Sequence, residues 1–155
     1  MIRIRPAEAA DIEAMSAVLT ASIRDLCTAD HGNRPDILNG WLANKTPAGV
    51  AKMLANPRAT LFVAEHDGTV AAVGAISADG AIGLNYVDPA FRFRGVSKAL
   101  LAHMETVLAA RGFAEGRLTS TRTAHRFYRD AGWLDDGPPE RMFDLESYPM
   151  RKPLA

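Results

Sequence analysis

The sequence of 155 residues contains one cysteine, no surplus of either charge sign and no long apolar run. Because Cys27 is the only cysteine, an internal disulfide and a zinc site made of several cysteines are excluded, and we expect no metal. The 18 Lys and Arg residues balance the 18 Asp and Glu residues, so no overall positive field attracts nucleic acid. No segment approaches the run of about 18 apolar residues that spans a membrane, and the amino terminus lacks the apolar core of a signal peptide. We therefore expect a cytoplasmic protein that binds neither nucleic acid nor membranes.

The length and composition are typical of one globular domain. Hydrophobic residues make up 48% of the chain and charged residues 23%, close to the average of soluble domains. No repeat, low-complexity tract or linker divides the sequence, so we expect a single domain over residues 1–155. A Walker phosphate loop is absent, and a Rossmann site is disfavoured because antiparallel hairpins precede any glycine-rich turn.

Hydrophobic periodicity and turn residues predict a mixed order of strands and helices. The predicted strands lie at residues 2–5, in a three-strand meander over 59–87 with turns at Asp67-Gly68 and Asp79-Gly80, at 116–120, around Trp133 and at 142–150. The first predicted helix runs from Ile12 to Leu26 and is capped by Asp11. A second helix begins at Pro35 and carries Trp41 and Leu42, and a third begins at Thr46 and Pro47. The last two helices are predicted at about 95–111 and at 123–131, where Gly132 ends the helix.

The segment "VDPAFRFRGVSKALL", residues 87–101, joins the last strand of the meander to the long helix. The first amides of a helix lack internal partners and lie at the positive end of its dipole, so they bind anions. Gly95 permits close approach of a ligand to the backbone, and Arg92, Arg94 and Lys98 surround it. The pattern indicates a site for a phosphate-bearing ligand, although basic residues at a helix start are also typical of a merely solvated surface.

Two motifs resemble those of the GNAT superfamily of N-acetyltransferases. Arg92-x-x-Gly95-x-Ser97 is similar to the family's [QR]-x-x-G-x-[GA] motif for the pyrophosphate of acetyl-CoA, with Ser97 in the place of Gly or Ala. Downstream, "TRTAHRFYRDAGW" resembles a later family motif ending in F-Y-x-x-x-G-[FW]. The resemblance covers nearly the entire chain and implies an α/β (α+β) fold with a mixed, mostly antiparallel sheet of about six to seven strands. Helices would flank this sheet, and its strands would splay apart at the cofactor site.

The resemblance also implies where acetyl-CoA, the co-substrate, binds. Backbone amides of residues 93–98 would hold the pyrophosphate, while backbone groups of Tyr86 and Val87 would pair with the pantetheine arm and polarise the thioester carbonyl. Thr121 stands where many relatives have an Asn that contacts this arm, and Arg122 or Arg126 would reach the adenosine phosphates. The expected cofactor-binding residues are Tyr86, Val87, Arg92, Phe93, Arg94, Gly95, Val96, Ser97, Lys98 and Thr121.

Tyr128 matches the tyrosine that commonly hydrogen-bonds the leaving sulfur in this family, so we expect it to be the catalytic acid. A phenol with a pKa near 10 protonates a thiolate whose thiol has a pKa near 8.5 at a cost of about 2 kcal/mol. The alternative is an aromatic side chain packed beside Phe127 in the core.

The base and the acceptor are less defined by the sequence. The strand "AIGLNYV" lacks the glutamate that some relatives carry there, which leaves Asp30 and His31 as the best candidates, with Asp25 and Glu65 behind them. Trp41 is a candidate stacking wall of the acceptor pocket and equally a core anchor. His66, His103 and His125 are interpreted as surface or helix-face residues, and Cys27 as a core residue.

These observations predict an N-acetyltransferase that moves the acetyl group of acetyl-CoA to a primary amine by direct attack in a ternary complex. The acceptor would be a small-molecule or peptide amine that the sequence does not identify. The alternative is a non-catalytic acyl-CoA-binding module. The oligomeric state is undecided, and a homodimer is open.

Overall fold

A computed structural model describes residues 1–142 and 144–154 of the chain. Six helices and eight strands lie within these residues, together with short 3-10 turns at Ala9–Asp11 and Pro89–Phe91. The helices are α1 (Ile12–Leu26), α2 (Thr28–His31), α3 (Pro35–Leu42), α4 (Pro47–Ala55), α5 (Val96–Ala110) and α6 (His125–Asp130). The strands are β1 (Ile2–Pro6), β2 (Ala59–His66), β3 (Thr69–Ser77), β4 (Ala81–Val87), β5 (Glu115–Thr121), β6 (Leu134–Asp135), β7 (Glu140–Met142) and β8 (Leu145–Pro153).

All the strands form one open sheet in the order β1-β2-β3-β4-β5-β8-β6, with β7 also paired to β8. Every pair is antiparallel except β4 and β5, which are parallel. The predicted fold class is therefore confirmed, with one strand more in the described residues than the upper expectation. No helix in the described part of the chain is both long enough and apolar enough to cross a bilayer.

Alternating side chains of the meander build a core on each face of the sheet, as the two-residue period of a strand dictates. Leu61 and Val63 of β2 pack with α1 and α4 on one face. Phe62 and Ala64 pack with α5 on the other face. At Gly74 a Cβ atom would lie 2.8 Å from the Met104 sulfur, so only glycine lets β3 and α5 come this close. The sheet is thereby held rigidly between two helical layers.

The parallel pair β4 and β5 opens along its length. Its register includes only Ala81 with Arg117 and Ile82 with Leu118, whereas β4 remains paired to β3 as far as Val87. Beyond Ile82 the two strands diverge, and in the described residues the backbone groups facing this gap have no strand partner. The gap opens toward the start of α5.

Most of the local start and stop signals act as predicted. The Thr46 hydroxyl accepts a hydrogen bond from the Gly49 amide at 3.1 Å and so caps α4. Gly132, with φ +93°, follows α6 in the left-handed conformation that glycine adopts without strain. Asp11 differs, because it precedes α1 without bonding its amides and instead accepts from Arg5, at 2.8 Å on each oxygen. This pair anchors β1 to the start of α1.

The carboxyl-terminal part corrects one prediction. The sequence predicts two strands, around Trp133 and at 142–150, but three strands pair there: the short β6 begins after Trp133, the short β7 ends at Met142, and the nine-residue β8 starts only at Leu145. The turn between β7 and β8 includes Asp144 with φ +62°. Residue 143 lies outside the described residues. A hairpin therefore replaces the single expected strand.

Candidate functional site

A cavity of about 380 Å³ occupies the gap between β4 and β5 and extends to the start of α5. This volume lies in the range of small-molecule sites. Its walls come from α1, β4, the loop before α5, the first turn of α5, β5 and α6. The predicted cofactor residues that line it are Tyr86, Val87, Arg92, Phe93, Gly95, Val96, Ser97, Lys98 and Thr121, and Tyr128 lines it as well.

One end of the cavity, the loop end, consists of Arg92, Phe93 and residues 95–98. Gly95 has φ +78° and precedes the first residue of α5, and no side chain caps the helix there. A Cβ at Gly95 would meet no protein atom within 4 Å, so the position opens onto the cavity. The amides at the start of α5 therefore face free space at the positive end of a 15-residue helix.

Phe93 is an unusual residue at the loop end. Its φ is +62°, a region that non-glycine residues rarely adopt, and 92% of the residue is exposed. The Arg92 guanidinium lies 4.6 Å from its ring centroid. Two left-handed residues, Phe93 and Gly95, thus shape the loop that presents the α5 amides.

Cationic side chains at the loop end come from Arg92 and Lys98, both exposed. Arg94 is the exception among the predicted cofactor residues, since it does not line the cavity and its guanidinium lies 5.7 Å from the Phe91 ring. Arg122 and Arg126 also lie outside the lining: Arg122 pairs with Glu146 at 3.5 Å, and Arg126 is exposed beside Asp130. The structure thus brings two of these five cations to the cavity wall.

Tyr128 and Asn85 meet across the middle of the cavity. The Asn85 side-chain amide donates a hydrogen bond to the Tyr128 hydroxyl oxygen, with an N to O distance of 3.2 Å. The Asn85 Oδ1 atom is buried and has no hydrogen-bond partner among the described residues. Because the Tyr128 oxygen accepts from Asn85, its own proton is directed elsewhere, toward the cavity.

Burial raises the pKa values of the acids in this cavity. Desolvation raises the pKa of Tyr128 to about 12, partly offset by the Asn85 hydrogen bond. It likewise raises the pKa of the Cys27 thiol to about 12, with a smaller contribution from Asp30. The pKa of Tyr86 is raised in the same way, again mainly by burial. All three side chains are therefore neutral at physiological pH.

Another part of the cavity wall, the α1 end, consists of Ser22 and Leu26 of α1, Cys27 directly after this helix, and Leu84 and Tyr86 of β4. Leu84 and Tyr86 pack against the core that α1 and α4 cover. None of these five side chains carries a charge. The two ends of one cavity thus differ in character, with cations and helix amides at one and apolar or neutral groups at the other.

The acceptor residues predicted from the sequence need correction. His31 is fully buried; its Nε2 lies 2.8 Å from the Ile23 carbonyl oxygen and its Nδ1 accepts from the Asn33 amide at 2.9 Å. With both ring nitrogens bonded to backbone, His31 holds the turn after α1 and does not reach the cavity. The expectation that it is a base of the acceptor site is therefore wrong.

Asp30 has a different role from the predicted one. Its carboxylate accepts from the Arg122 amide at 2.7 Å, from the Thr123 amide at 3.1 Å and from the Thr123 hydroxyl. Neither Asp30 nor Trp41 lines the cavity. Asp30 ties the end of α1 and α2 to the loop that precedes α6, and so positions the element that carries Tyr128.

Trp41 and the remaining candidates lie outside the lining of the cavity. The Trp41 ring packs edge-on to His31, with centroids 6.1 Å apart, and its hydrogen bond with the wall residue Tyr86 partly offsets the raised pKa of that phenol. Asp25 pairs with its neighbour Arg24, and Glu65 pairs with Arg5. The other histidines, His66, His103 and His125, pack against Phe91, Phe62 and Tyr148 respectively.

Asn85 is the residue that sequence reasoning missed. It lies in the strand "AIGLNYV", which lacks the glutamate that some relatives carry there. A signal was present, because Asn is depleted in strands and this strand is otherwise apolar or aromatic between Leu84 and Val87. A polar residue between apolar and aromatic strand residues indicates a hydrogen-bonding role.

Comparison with known proteins agrees with this geometry. A family model described as an acetyltransferase (GNAT) domain matches residues 34–154, more than half of the chain. No curated protein matches.

Solved structures of similar fold cover nearly the whole chain. A GCN5-related N-acetyltransferase from Rhodopseudomonas palustris, also described as a class-II aminotransferase, has a TM-score of 0.86 at 21% identity, with 97% of this chain and 94% of that chain covered. The PaiA N-acetyltransferase from Thermoplasma acidophilum, solved in complex with coenzyme A, has a TM-score of 0.79 at 17% identity, with 99% of each chain covered. The ribosomal-protein-S18-alanine N-acetyltransferase from Escherichia coli has a TM-score of 0.69 at 20% identity, with 100% of this chain and 95% of that chain covered.

These identities show a shared fold, and the family model supplies the classification. It spans the loop end, Asn85 and Tyr128 in one continuous match. The chain therefore belongs to the GNAT acetyltransferase family.

Proposed function

We propose that this chain acts as a single N-acetyltransferase domain that transfers the acetyl group of acetyl-CoA to a primary amine by direct attack in a ternary complex. The observation that carries the proposal is the continuity of one cavity. It joins free helix amides and two cations at the loop end to a buried tyrosine hydroxyl and then to a neutral chamber. An anionic cofactor and an acceptor could therefore occupy it together.

The residues present fit acetyl-CoA. The α5 amides beyond Gly95, with Arg92 and Lys98, suit a pyrophosphate, since backbone donors at a helix start bind phosphate groups. The backbone of β4 beyond Ile82 that faces the gap, including that of Val87, offers amides and carbonyls to the pantetheine arm, whereas the backbone of Tyr86 is paired with Val73 of β3. Acetyl-CoA supplies the acetyl group activated as a thioester.

Tyr128 is proposed as the acid that protonates the leaving sulfur. As the amine nitrogen bonds to the acetyl carbon, the C–S bond breaks and its electron pair goes to sulfur, which takes the Tyr128 proton and becomes a free thiol. The surplus proton on nitrogen then returns through water to the Tyr128 phenolate. Atoms and charge balance without any further reactant.

The raised pKa of Tyr128 is compatible with this role. Against a thiol in water with a pKa near 8.5, a phenol with a pKa of about 12 would transfer its proton uphill by about 5 kcal/mol. A sulfur in the same cavity is desolvated too, and Cys27 in its wall illustrates the effect with a pKa of about 12. Burial of the leaving sulfur in the same cavity would raise the pKa of its thiol and so reduce this uphill difference, which favours transfer as the C–S bond breaks.

The acceptor is proposed to be a primary amine on a small molecule or a peptide. The name of the similar Escherichia coli enzyme shows that this fold serves a protein alanine as acceptor.

The function is tested by mixing purified protein with acetyl-CoA and a panel of amines and measuring free thiol. We expect acceptor-dependent thiol release that slows by roughly 10²–10⁴ in Tyr128→Phe. If coenzyme A binds, as measured by calorimetry, and no amine accelerates thiol release, the transferase proposal fails and the acyl-CoA-binding module is the better description.

A further inference from the structure

The α1 end of the cavity contains a combination of neutral groups that bears on the acceptor. Leu26 and Leu84 supply apolar surface, Ser22 is buried, and burial keeps Cys27 and Tyr86 un-ionised. A cation transferred from water to such a wall loses hydration, and none of these side chains supplies an anion to pair with it. The wall therefore favours a neutral, apolar guest.

The carboxylates of Asp30 and Asp25, near this end, are already bonded to other groups. Asp30, close enough to raise the pKa of Cys27, gives its oxygens to the Arg122 and Thr123 amides. Asp25 pairs with Arg24. The charges that do line the cavity, on Arg92 and Lys98, are positive and lie at the loop end, where they repel an ammonium group and suit phosphates.

Asn85 provides the one buried side-chain oxygen or nitrogen atom in the described residues that has no hydrogen-bond partner. Its Oδ1 is buried without a partner, and an unsatisfied buried acceptor is unfavourable unless a bound molecule donates to it. Its amide nitrogen donates to the Tyr128 hydroxyl, which places Oδ1 beside the proposed acid. A carboxamide oxygen accepts a hydrogen bond from N–H but does not remove a proton at neutral pH.

We propose that the acceptor is a primary amine that is unprotonated at neutral pH and carries an apolar body, and that Asn85 Oδ1 accepts a hydrogen bond from its N–H. The inference rests on the proposed transferase function and assigns its substrate class. Asn85 orients the nitrogen lone pair toward the acetyl carbon, and its amide nitrogen keeps the Tyr128 proton directed at sulfur. An alkyl amine with a pKa near 10.4 leaves roughly one molecule in 10³ in the reactive form at pH 7, and this site does little to enrich it.

Two amines of matched shape test the proposal. O-benzylhydroxylamine and 2-phenylethylamine are isosteric except for an oxygen in place of a methylene group; the first is unprotonated at pH 7 and the second is almost entirely protonated. We expect kcat/KM for O-benzylhydroxylamine to exceed that for 2-phenylethylamine by at least tenfold at pH 7. The ratio of the two kcat/KM values should fall by about tenfold per pH unit up to pH 9, because only 2-phenylethylamine gains unprotonated, reactive molecules as the pH rises.

Variants of Asn85 separate charge from hydrogen bonding. In Asn85→Asp a carboxylate enters the cavity, so the ratio of kcat/KM for 2-phenylethylamine to that for O-benzylhydroxylamine should rise at least tenfold. In Asn85→Leu both amines should lose activity together, since an acceptor atom disappears without a change of charge. The ratio is independent of any general loss of stability in either variant, and circular dichroism confirms folding.

The outcomes distinguish this inference from the function beneath it. A preference for 2-phenylethylamine at pH 7, with a flat pH profile, would show that the site binds or deprotonates an ammonium group, which overturns the inference and leaves the transferase intact. An Asn85→Leu variant with unchanged kcat/KM for both amines would overturn the role of Asn85. Thiol release with neither amine, nor with any other of the panel, while coenzyme A binds, would overturn both.

Discussion

The loop end and the α1 end of the cavity present different chemical groups, mainly backbone amides and cations at the first and neutral side chains at the second. The loop end uses backbone amides at the start of α5, a left-handed glycine and two exposed cations from one continuous segment, residues 92–98. The α1 end uses side chains alone, taken from α1 and β4, which lie about 60 positions apart in the sequence. Between them, Asn85 and Tyr128 meet from β4 and α6.

The difference indicates a division of tasks. A backbone site depends little on side-chain identity and binds a constant chemical group, such as the phosphates that acetyl-CoA carries. A side-chain chamber changes with each substitution and is suited to selecting an acceptor. Changes at the loop end should therefore alter cofactor affinity, whereas changes near Asn85 and Tyr128 should alter turnover and acceptor choice.

The largest effect is expected where the two ends meet. Tyr128→Phe keeps the ring in the core and removes the proton, so kcat should fall by roughly 10²–10⁴, while affinity for coenzyme A stays within a few fold. Steady-state thiol release measures kcat, and calorimetry measures the affinity for coenzyme A. Tyr148→Phe is the control: Tyr148 stacks on His125 outside the cavity, and kcat should not change. Loss of cofactor binding or stability with turnover intact would show that Tyr128 is a packing residue.

Gly95→Val should weaken binding of coenzyme A by at least tenfold, about 1.4 kcal/mol. The added side chain points into open cavity space and requires a φ of +78°, which valine adopts only with strain. Calorimetry measures the affinity.

Gly68→Val separates strain from obstruction. Gly68 has φ +86° and equally open space around it, but lies in the β2–β3 turn away from the cavity. It should lower the melting temperature as Gly95→Val does while leaving affinity for coenzyme A unchanged. If Gly95→Val and Gly68→Val bind coenzyme A with equal affinity, the start of α5 is not the phosphate site.

Asp30→Ala should act on stability more than on chemistry. Removing the carboxylate leaves the Arg122 and Thr123 amides without their acceptor, and loss of a comparable cap costs about 1 kcal/mol of the free energy of unfolding. For a chain of this size we expect a drop of about 2–4 °C in Tm, with turnover reduced only a few fold. Asp25→Ala, which breaks an exposed pair with Arg24, is the control. If Asp30→Ala instead slows turnover by a factor of about a hundred or more, the range of a lost acid or base catalyst, Asp30 is the base after all.

The smallest effect is expected from Arg92→Ala at the loop end. An exposed cation contributes little to binding and is screened by salt, so affinity for coenzyme A should fall a few fold at low ionic strength and less at high ionic strength. Arg111→Ala, at the far end of α5, removes the same charge where it contacts Thr60 and should have no effect. A loss independent of salt would indicate a buried contact in the complex.

The loop end, the hairpin turns and the Thr46 cap were accessible from the sequence because each depends on neighbours along the chain. Gly95 with its flanking cations, the two Asp-Gly turns and Thr46 before Pro47 act within a few positions of one another. Tyr128 was accessible through its motif. His31 was not, because its two hydrogen bonds go to the backbone of Ile23 and Asn33, and an exposed histidine has the same sequence signature as a buried one.

By itself, then, the sequence determined most of the helices and strands, the start of α5 at Gly95 and the family motif that contains Tyr128, since these follow from short-range sterics, hydrogen bonding and periodicity. Only the tertiary structure decided that β4 and β5 separate after Ile82 and that the Asn85 amide donates a hydrogen bond to the Tyr128 hydroxyl. It also decided that Asp30 accepts hydrogen bonds from the loop before α6 and that the side chains at the α1 end of the cavity are neutral. Each of these depends on atoms that are distant along the chain and meet only when the sheet has formed, and burial there sets the pKa values and leaves Asn85 Oδ1 without a partner among the described residues.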